Sequence, residues 1–338
     1  MKMSEIIKNR SEILFIYDVT DANPNGDPAD ENKPRIDEEI GINIVTDVRL
    51  KRTIRDHLHD FKNQEIFVRE ERNEDGKLKT KETIYDNYGS PDKVIEKCID
   101  IRLFGGTFAL KKKDGKKKKG KSPEPEEEEL KEEPTERAFA LTGPVQFKFG
   151  RSLHRVGEPT FVKGTTVMPS KEKKGAGTFT EAYVLPYSLI AFYGIINENA
   201  AQEANQGTKL KEADVELLLD GIWNGTKNLI SRSKFGQIPR LLLQVVLKEK
   251  NYYIGELDHR IKLIKKQKES KEIRDEGIRN VSEIQLDITS LGETLEKNKD
   301  KIDKIRYAKD KHLELIKDGN PIEVDKLVSG LTFEPLSF

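Results

Sequence analysis

Residues 12–19, EILFIYDV, predict a β-strand that is apolar on both faces, and this strand decides the fold. Successive side chains of a strand point to opposite sides of its sheet. One side therefore carries Ile13, Phe15, Tyr17 and Val19. The other side carries Leu14 and Ile16, so we expect the strand to lie inside a sheet that is covered, at least in part, on both faces.

Other elements are expected around this strand. A helix is predicted at about 46–61, with Thr46 as its N-cap and an apolar face that includes Val48, Ile54, Leu58 and Phe61. The next elements are expected to be a strand, a projecting hairpin and two helices, at 138–153, about 162–184, 186–204 and 213–230. The second of these helices ends before the strongly apolar stretch at 241–247.

The last third of the chain has a different pattern. Residues 241–247 predict a buried strand, with 252–254 as its hairpin partner. Residues 258–317 are mostly charged, and their sparse Ile and Leu residues predict helices packed by a thin apolar stripe. Residues 331–338 are expected to form an edge strand. Strands mixed with helices, without regular βαβ alternation, predict an α+β fold.

The composition excludes several classes of protein. The chain has 338 residues, no apolar run near 18 residues, and no apolar signal sequence at 1–10. We therefore expect a cytoplasmic protein without membrane contact. The single Cys98 excludes an internal disulfide and a multi-cysteine zinc site. The 60 basic and 60 acidic side chains cancel, which as a total argues against a nucleic-acid partner.

The charge is nevertheless unevenly distributed along the chain. Residues 111–121 hold eight Lys and one Asp, whereas 122–134 hold seven Glu and one Lys. Such blocks predict a solvated, mobile insert, and a basic arm that touches RNA is the alternative. Residues 144–180 have seven bases against two acids, and 223–240 have four bases and no acid. Because of these local surpluses of positive charge, the neutral total does not exclude a nucleic-acid partner.

Motifs for metal binding and catalysis are weak. Asp21, Asn23, Asn25 and Gly26 match the opening of a calcium loop, but its twelfth position is Asn32 rather than Glu. Acidic residues are dense nearby: Asp18, Asp21, Asp27, Asp30, Glu31 and Asp37. They are compatible with a Mg²⁺-dependent nuclease, and local turn chemistry is the favoured interpretation. His57 and His59 diverge on a helix and do not chelate one ion.

Basic residues are better organised on the predicted helix. They are expected to form a cationic stripe that faces away from the apolar side: Arg49, Lys51, Arg52 and Arg55. A solvated helix face is the alternative. The three basic segments also contain Gly, Ser, Thr, Asn and Gln, whose small or polar side chains let a backbone approach phosphates closely.

A series of motifs in order resembles the Cas-seven family, the backbone subunits of type I CRISPR Cascade complexes. The motifs are NPNGDP (23–28), PRID (34–37), VTDVRLKRTIRD (45–56), IDIRLFGG (99–106), LTGPVQFKFGRSL (141–153), TFTEAYVLPYSLIAFYGIIN (178–197) and WNGTKNLISRSKFGQIPRLLLQV (223–245). The resemblance covers most of residues 10–255 and is closest to the type I-B branch.

This resemblance implies an RRM-like, ferredoxin-type core with insertions. Residues 1–257 and 328–338 are expected to form the palm, which carries the insert at 111–134 and a thumb hairpin at about 162–184. Residues 258–327 are expected to be a charged helical insertion. Copies are expected to stack head to tail along crRNA, leaving bases free to pair with target DNA. The other expected partners are Cas-five, Cas-six, a large and a small subunit, and a separately recruited helicase-nuclease.

The resemblance also implies which residues contact RNA. Asn23, Asn25 and Arg35 are expected in the loop beside the RNA. Arg49, Lys51, Arg52 and Arg55 are expected to contact phosphates, as are Arg232, Ser233 and Lys234. In and beside the thumb the candidates are Lys163, Met168 as a wedge between bases, Lys171, Lys173 and Lys174. We expect no catalytic residue, cofactor or metal.

Two alternative functions remain at this point. Type III relatives cut target RNA with a loop aspartate, so Asp27 or Asp37 would serve a Mg²⁺-dependent ribonuclease. The Lys and Glu blocks would alternatively suit a scaffold that binds acidic proteins.

Overall fold

The structure is a computed structural model that describes residues 5–108, 139–165, 179–266 and 273–338. The charged insert at 111–134 lies outside the described residues. So do Met168, Lys171, Lys173 and Lys174 of the expected thumb. The predictions for these residues therefore stay predictions.

The described residues form strands and α-helices joined by short 3-10 turns. The strands are β1 (Ser11–Ala22), β2 (Gly26–Asp27), β3 (Lys33–Pro34), β4 (Ile36–Asp37), β5 (Ile42–Val45), β6 (Gly105–Phe108), β7 (Phe139–Thr142), β8 (Val145–Phe147), β9 (Gly150–Arg155), β10 (Thr160–Thr165), β11 (Phe179–Ile196), β12 (Gln237–Leu247), β13 (Lys262–Lys265), β14 (Ile284–Asp287), β15 (Ile302–Lys309), β16 (Leu315–Lys317), β17 (Asn320–Pro321) and β18 (Phe333–Pro335). The helices are α1 (Asp47–Lys62), α2 (Lys81–Asp86), α3 (Pro91–Lys97), α4 (Ile99–Phe104), α5 (Glu212–Lys227) and α6 (Thr289–Lys297).

β1 lies at the centre of a large sheet with the strand order β18-β15-β12-β1-β11-β9-β5-β4. Its Phe15 is opposite Phe192 of β11 and Leu242 of β12, and both pairings are antiparallel. Among the strands of this sheet, α1 lies between β1 and β9 in chain order, and α5 lies between β11 and β12.

Both faces of this sheet are covered. On the first face, α1 and α5 pack on the β1 residues Ile13, Phe15 and Tyr17. On the second face, Leu14 and Ile16 belong to a separate core with residues of α6 and of a smaller sheet, β13-β14-β16-β17. The two-sided pattern of residues 12–19 therefore correctly predicted a central strand. The α+β fold class is confirmed.

Several element predictions are confirmed with small shifts of their ends. The helix at 46–61 is α1, and its N-cap is Thr46, whose hydroxyl accepts a hydrogen bond from Arg49 N–H at 3.3 Å. The helix at 213–230 is α5, the strand at 241–247 is the main part of β12, and the edge strand at 331–338 contains β18. Each of these segments has either a clear hydrophobic period or a high content of residues that favour β-strands.

The helix predicted at 186–204 is wrong, because most of it is β11. Residues 185–196 of this strand pair with β1 and are buried on both faces: Tyr187 and Leu189 lie in the second core, and Ile190 and Phe192 in the first. In an apolar run that is buried on both faces, nearly every residue is hydrophobic. The hydrophobic periodicity therefore does not distinguish a strand from a helix. The single strand predicted at 138–153 is three strands, β7, β8 and β9.

The helical prediction for 258–317 is also wrong. Among its described residues there is one α-helix, α6, and β15 pairs with β12 inside the main sheet. Residues 252–254 form no strand. The buried Ile302 and Ile305 of β15 are three residues apart, which is a helical spacing. A register shift between Val246 and Leu247 of β12 lets both of them lie in the second core.

Candidate nucleic-acid interface

Asn25 organises the N-terminus of α1. Its side-chain oxygen accepts hydrogen bonds from Thr46 N–H at 2.8 Å and from Thr46 Oγ1–H at 2.9 Å. Its backbone carbonyl accepts from Arg35 N–H at 3.2 Å. Asn25 was predicted to face RNA, and in the structure its side-chain oxygen holds the loop against the helix.

Asn23 joins the same loop to the basic turn, which we define as residues 231–236. The buried Asn23 donates from its backbone N–H to Ser233 O at 2.8 Å and from Nδ2 to Asn32 O at 2.7 Å. Its carbonyl oxygen accepts from Lys234 Nζ at 2.6 Å. The two motifs, 211 residues apart, therefore form one surface.

Gly236 fixes the basic turn against the end of β1. Its φ of +105° lies in the left-handed region that favours glycine. A Cβ atom at Gly236 would lie 2.4 Å from Thr20 O, and Thr20 N–H donates to Gly236 O at 3.0 Å. Sequence reasoning missed this residue, although a glycine that ends an acid-free basic segment was a visible signal.

Lys234 and Arg49 form a half-buried cationic pair between the basic turn and α1. Burial, and next the positive charge of Arg49, lower the pKa of Lys234 to about 8. Burial likewise lowers the pKa of Arg49, whose Nη2 donates to Thr53 Oγ1 at 3.0 Å while Nε has no partner. Among the described residues neither cation forms an ion pair with a carboxylate. Asp56 raises the pKa of Arg49, but its carboxylate is itself paired with Arg52 at 2.7 Å.

The other cations of α1 do not form one stripe with Arg49, so that prediction is wrong. Lys51 pairs with Asp47 at 3.0 Å, and Arg55 pairs with the buried Asp100 at 3.0 Å. Both lie over the ring of Phe104, at 5.5 and 5.0 Å from its centroid. The physical reason is that α1 packs through three sides, and its cations are divided between them.

The remaining α1 predictions also change. Arg52 is exposed and pairs with Asp56 at 2.7 Å. Val48 is 66% exposed, so it is not part of the apolar face, which is built from Leu50, Ile54 and Leu58. Phe61 is also exposed.

The hairpin stem, β10 with the start of β11, stands beside the basic turn. Lys163 is opposite Glu181 and pairs with it at 3.3 Å. On the other side of the stem, a Cβ atom at Gly164 would lie 3.5 Å from the Arg232 guanidinium. Arg232 therefore lies against the stem, and its neighbour Lys234 faces α1.

The aspartates of the ribonuclease alternative are engaged in the loop. Asp27 pairs with Arg35 at 2.7 Å and accepts from Ala29 N–H at 3.0 Å, and Asp37 pairs with Arg151 at 3.3 Å. Within the described ranges, no group of three or more His, Cys, Asp or Glu residues is placed to hold a metal ion. Turn and ion-pair chemistry account for these contacts.

The interface therefore consists of Arg49, Lys234 and Arg232 beside a loop and turn whose backbones approach closely. Cations without carboxylate partners, next to small polar residues, suit the phosphate groups of a nucleic-acid backbone. In the part of the chain that the structure describes, no helix is long and apolar enough to cross a lipid bilayer.

Comparison with known proteins identifies the family. Two chains of solved structures are similar to this chain. One is from a "CRISPR RNA-guided surveillance complex" (TM-score 0.44, 15% identity, 89% of this chain and 88% of that one), and the other is from a "CRISPR RNA-guided surveillance complex, pre-nicking" (TM-score 0.48, 11% identity, 91% of this chain and 96% of that one). A CRISPR-associated protein Cas7 from Haloferax volcanii is 33% identical over 349 residues, which cover 96% of this chain and 94% of that protein.

The family assignment rests on most of the chain. The family model described as CRISPR-associated protein Cas7 matches residues 9–289. The chain therefore belongs to the Cas7 family. This is the Cas-seven family that the ordered sequence motifs resemble.

Proposed function

We propose that this chain is the crRNA-binding backbone subunit of a type I Cascade effector, of the I-B branch, and that it holds the RNA by its phosphates. The observation that carries the proposal is the pair Lys234 and Arg49. Both cations are half-buried, the positive charge of Arg49 lowers the pKa of Lys234, and among the described residues neither has an ion pair with a carboxylate. A phosphate between them would relieve both the repulsion and the loss of hydration.

The position of the pair supports contact without sequence reading. Both faces of the sheet are covered, so bases cannot stack on an open sheet as they do in many RNA-binding domains. The cations lie at the rim, among backbone groups of the loop and turn. Phosphate contacts position an RNA strand and carry no sequence information, as different guides require.

The assembly is part of the same proposal. Copies would stack head to tail along the crRNA, with the thumb of each copy reaching the RNA, while target DNA pairs with the guide. Cas-five, Cas-six, a large and a small subunit would complete the complex, and a separate helicase-nuclease would cut the DNA. Membership of the Cas7 family supports this arrangement.

The decisive experiment measures RNA affinity of the purified, RNA-free protein for three unrelated single-stranded RNAs. Lys234→Gln and Arg49→Gln should each weaken binding by about tenfold or more, equally for all three RNAs. Each should also reduce the slope of log affinity against log salt by about 0.7 per lost phosphate contact. Lys262→Gln, an exposed change on β13, is the matched control.

Two results would contradict the proposal. One is wild-type protein that binds none of the RNAs, and the other is a set of losses that differ from one RNA to the next. Cleavage of RNA complementary to a bound guide, dependent on Mg²⁺ and lost in Asp27→Ala or Asp37→Ala, would overturn the non-catalytic role.

A further inference from the structure

Phe235 is an exposed aromatic residue in the basic turn, between Lys234 and Gly236. Its side chain is 66% exposed. No Asp or Glu occurs between Trp223 and Arg240. A single exposed ring needs no explanation by itself, so its surroundings decide whether it marks a binding site.

The backbone around Phe235 is held on both sides. Phe235 N–H donates to Ser231 O at 2.8 Å, and Gly236 is fixed on Thr20. On the other side, Ser233 O accepts from Asn23 N–H, and Lys234 points to Asn23 O. Because the residues before and after it are held, the Cα–Cβ bond of Phe235 has a fixed direction next to Lys234.

Other exposed aromatic residues of the described chain have different surroundings. Phe61 stacks on His57 at 5.2 Å, and Phe161 packs on Tyr183 at 5.1 Å. Phe149 lines a cavity of about 1050 Å³ whose wall carries both acidic side chains (Asp27, Asp30, Glu38, Glu158 and Glu276) and basic ones (Lys33, Arg35, Arg151 and Arg155). Phe235 differs because it lies in a segment, 223–240, that has bases and no acid, and, among the described residues, its ring has no aromatic partner.

We propose that Phe235 is a stacking platform for one unpaired base of the bound RNA, next to the phosphate held by Lys234 and Arg49. This inference rests on the proposed function and adds a contact to the base itself. Every base has an apolar face, so stacking adds affinity without selecting a sequence. The flanking cations favour a nucleic acid as the partner. An apolar protein surface would remove water from these cations without supplying a counter-charge, which is unfavourable.

The experiment compares two RNAs of equal length, one normal and one with abasic sites throughout, at protein concentrations low enough to keep the protein monomeric. On normal RNA, Phe235→Ala and Phe235→Leu should each weaken binding by about 5- to 150-fold, and Phe235→Trp should bind like wild type. On abasic RNA all four proteins should bind alike. Tyr253→Ala, at an equally accessible ring 58% exposed beside Glu256, is the matched control.

Three outcomes would overturn the inference while leaving the proposed function intact: an unchanged RNA affinity of Phe235→Ala, an equal loss of affinity for both RNAs, or a wild-type RNA affinity of Phe235→Leu. Loss of self-association with unchanged RNA affinity would likewise overturn it and assign the ring to a protein contact. If wild-type protein binds neither RNA, the proposed function itself fails. Thermal unfolding of each variant confirms that the chain still folds.

Discussion

At the scale of single residues, the surroundings of a cation decide its role. Lys234 and Arg55 have the same charge, yet Lys234 faces Arg49 whereas Arg55 faces the buried carboxylate of Asp100. That carboxylate also accepts from Phe67 N–H at 2.8 Å and Val68 N–H at 3.0 Å. We infer that Lys234 serves binding, and that Arg55 serves mainly the attachment of α1 to its neighbours.

The lowered pKa of Lys234 predicts a pH-dependent RNA affinity. Phosphate binds the ammonium form, so affinity should be full below pH 8 and should fall as the pH rises through about 8. In Lys234→Arg the guanidinium stays charged, so this variant should keep its affinity. Binding measured from about pH 7 to about pH 9 should show a relative loss for wild type of up to about tenfold.

The same group has the opposite effect on the stability of RNA-free protein. The pKa is about 8 in the folded chain against 10.5 for an ordinary lysine, so the unfolded chain binds more protons between these values. The penalty for folding with a charged Lys234 is therefore present below pH 8 and disappears as the pH rises towards 10.5. Parallel pH profiles for wild type and Lys234→Arg would contradict both expectations.

Arg55→Ala should destabilise the protein by about 3–5 kcal/mol, because it leaves the buried Asp100 carboxylate without its cation. Denaturant unfolding measures this change. Arg52→Ala breaks an exposed pair with Asp56 and should cost at most about 1 kcal/mol. Equal stabilities of the two variants would show that the Arg55–Asp100 pair does not support the fold.

At the scale of elements, the placement of α1 depends on glycines of α5. A Cβ atom at Gly221 would lie 3.0 Å from Ile54 Cγ2, and one at Gly225 would lie 3.2 Å from Thr53 O. The two helices therefore approach closely at these points. His57 Nε2 and Asp220 Oδ1, 3.1 Å apart, add a polar contact beside them. This contact between helices sets where α1 presents Arg49.

Gly225→Leu should destabilise the protein by about 1–3 kcal/mol, because a side chain there has no room against Thr53. It should also weaken RNA binding in the protein that remains folded, since α1 must shift. Lys227→Leu, at an exposed position on the same helix, should leave the stability nearly unchanged. Chemical denaturation and RNA titration of both variants test the prediction, and a neutral Gly225→Leu would show that the helices have space between them.

At the scale of the whole molecule, the charged last third completes the main sheet. β15 pairs with β12, and β18 pairs with β15. The smaller sheet and α6 cover the second face, where Leu286 and Leu291 are fully buried. Residues 258–327, expected from the sequence as an insertion, contribute a strand to the central sheet and more than half of the buried residues of the second core.

A chain that ends at residue 257 should therefore aggregate. It would expose the apolar second face, including Leu14, Ile16 and Leu243, and leave β12 as an open edge. Size-exclusion chromatography and denaturant unfolding of this fragment beside the full chain are the measurement. A monomeric fragment that unfolds cooperatively would contradict the prediction.

The sequence by itself determined the features that depend on neighbouring residues. The two-faced pattern of 12–19 predicted a central strand, Thr46 and the helical spacing predicted α1, and the ordered motifs predicted the family. It failed at 186–204 and 258–317, where burial on both faces or sparse apolar residues leave the period ambiguous. Local pattern carries no information about which element covers which face.

Tertiary structure alone decided which basic residues are available to a ligand. Arg55 is paired with a carboxylate 45 residues away, whereas Lys234 donates to a carbonyl oxygen 211 residues away and meets Arg49. A cation's availability depends on the charges that folding places within a few ångströms of it, because electrostatic interactions fall with distance in space and are independent of separation along the chain. The sequence determined that basic residues surround these motifs. Among the described cations of α1 and the basic turn, the fold left Arg49, Arg232 and Lys234 without an ion pair to a carboxylate.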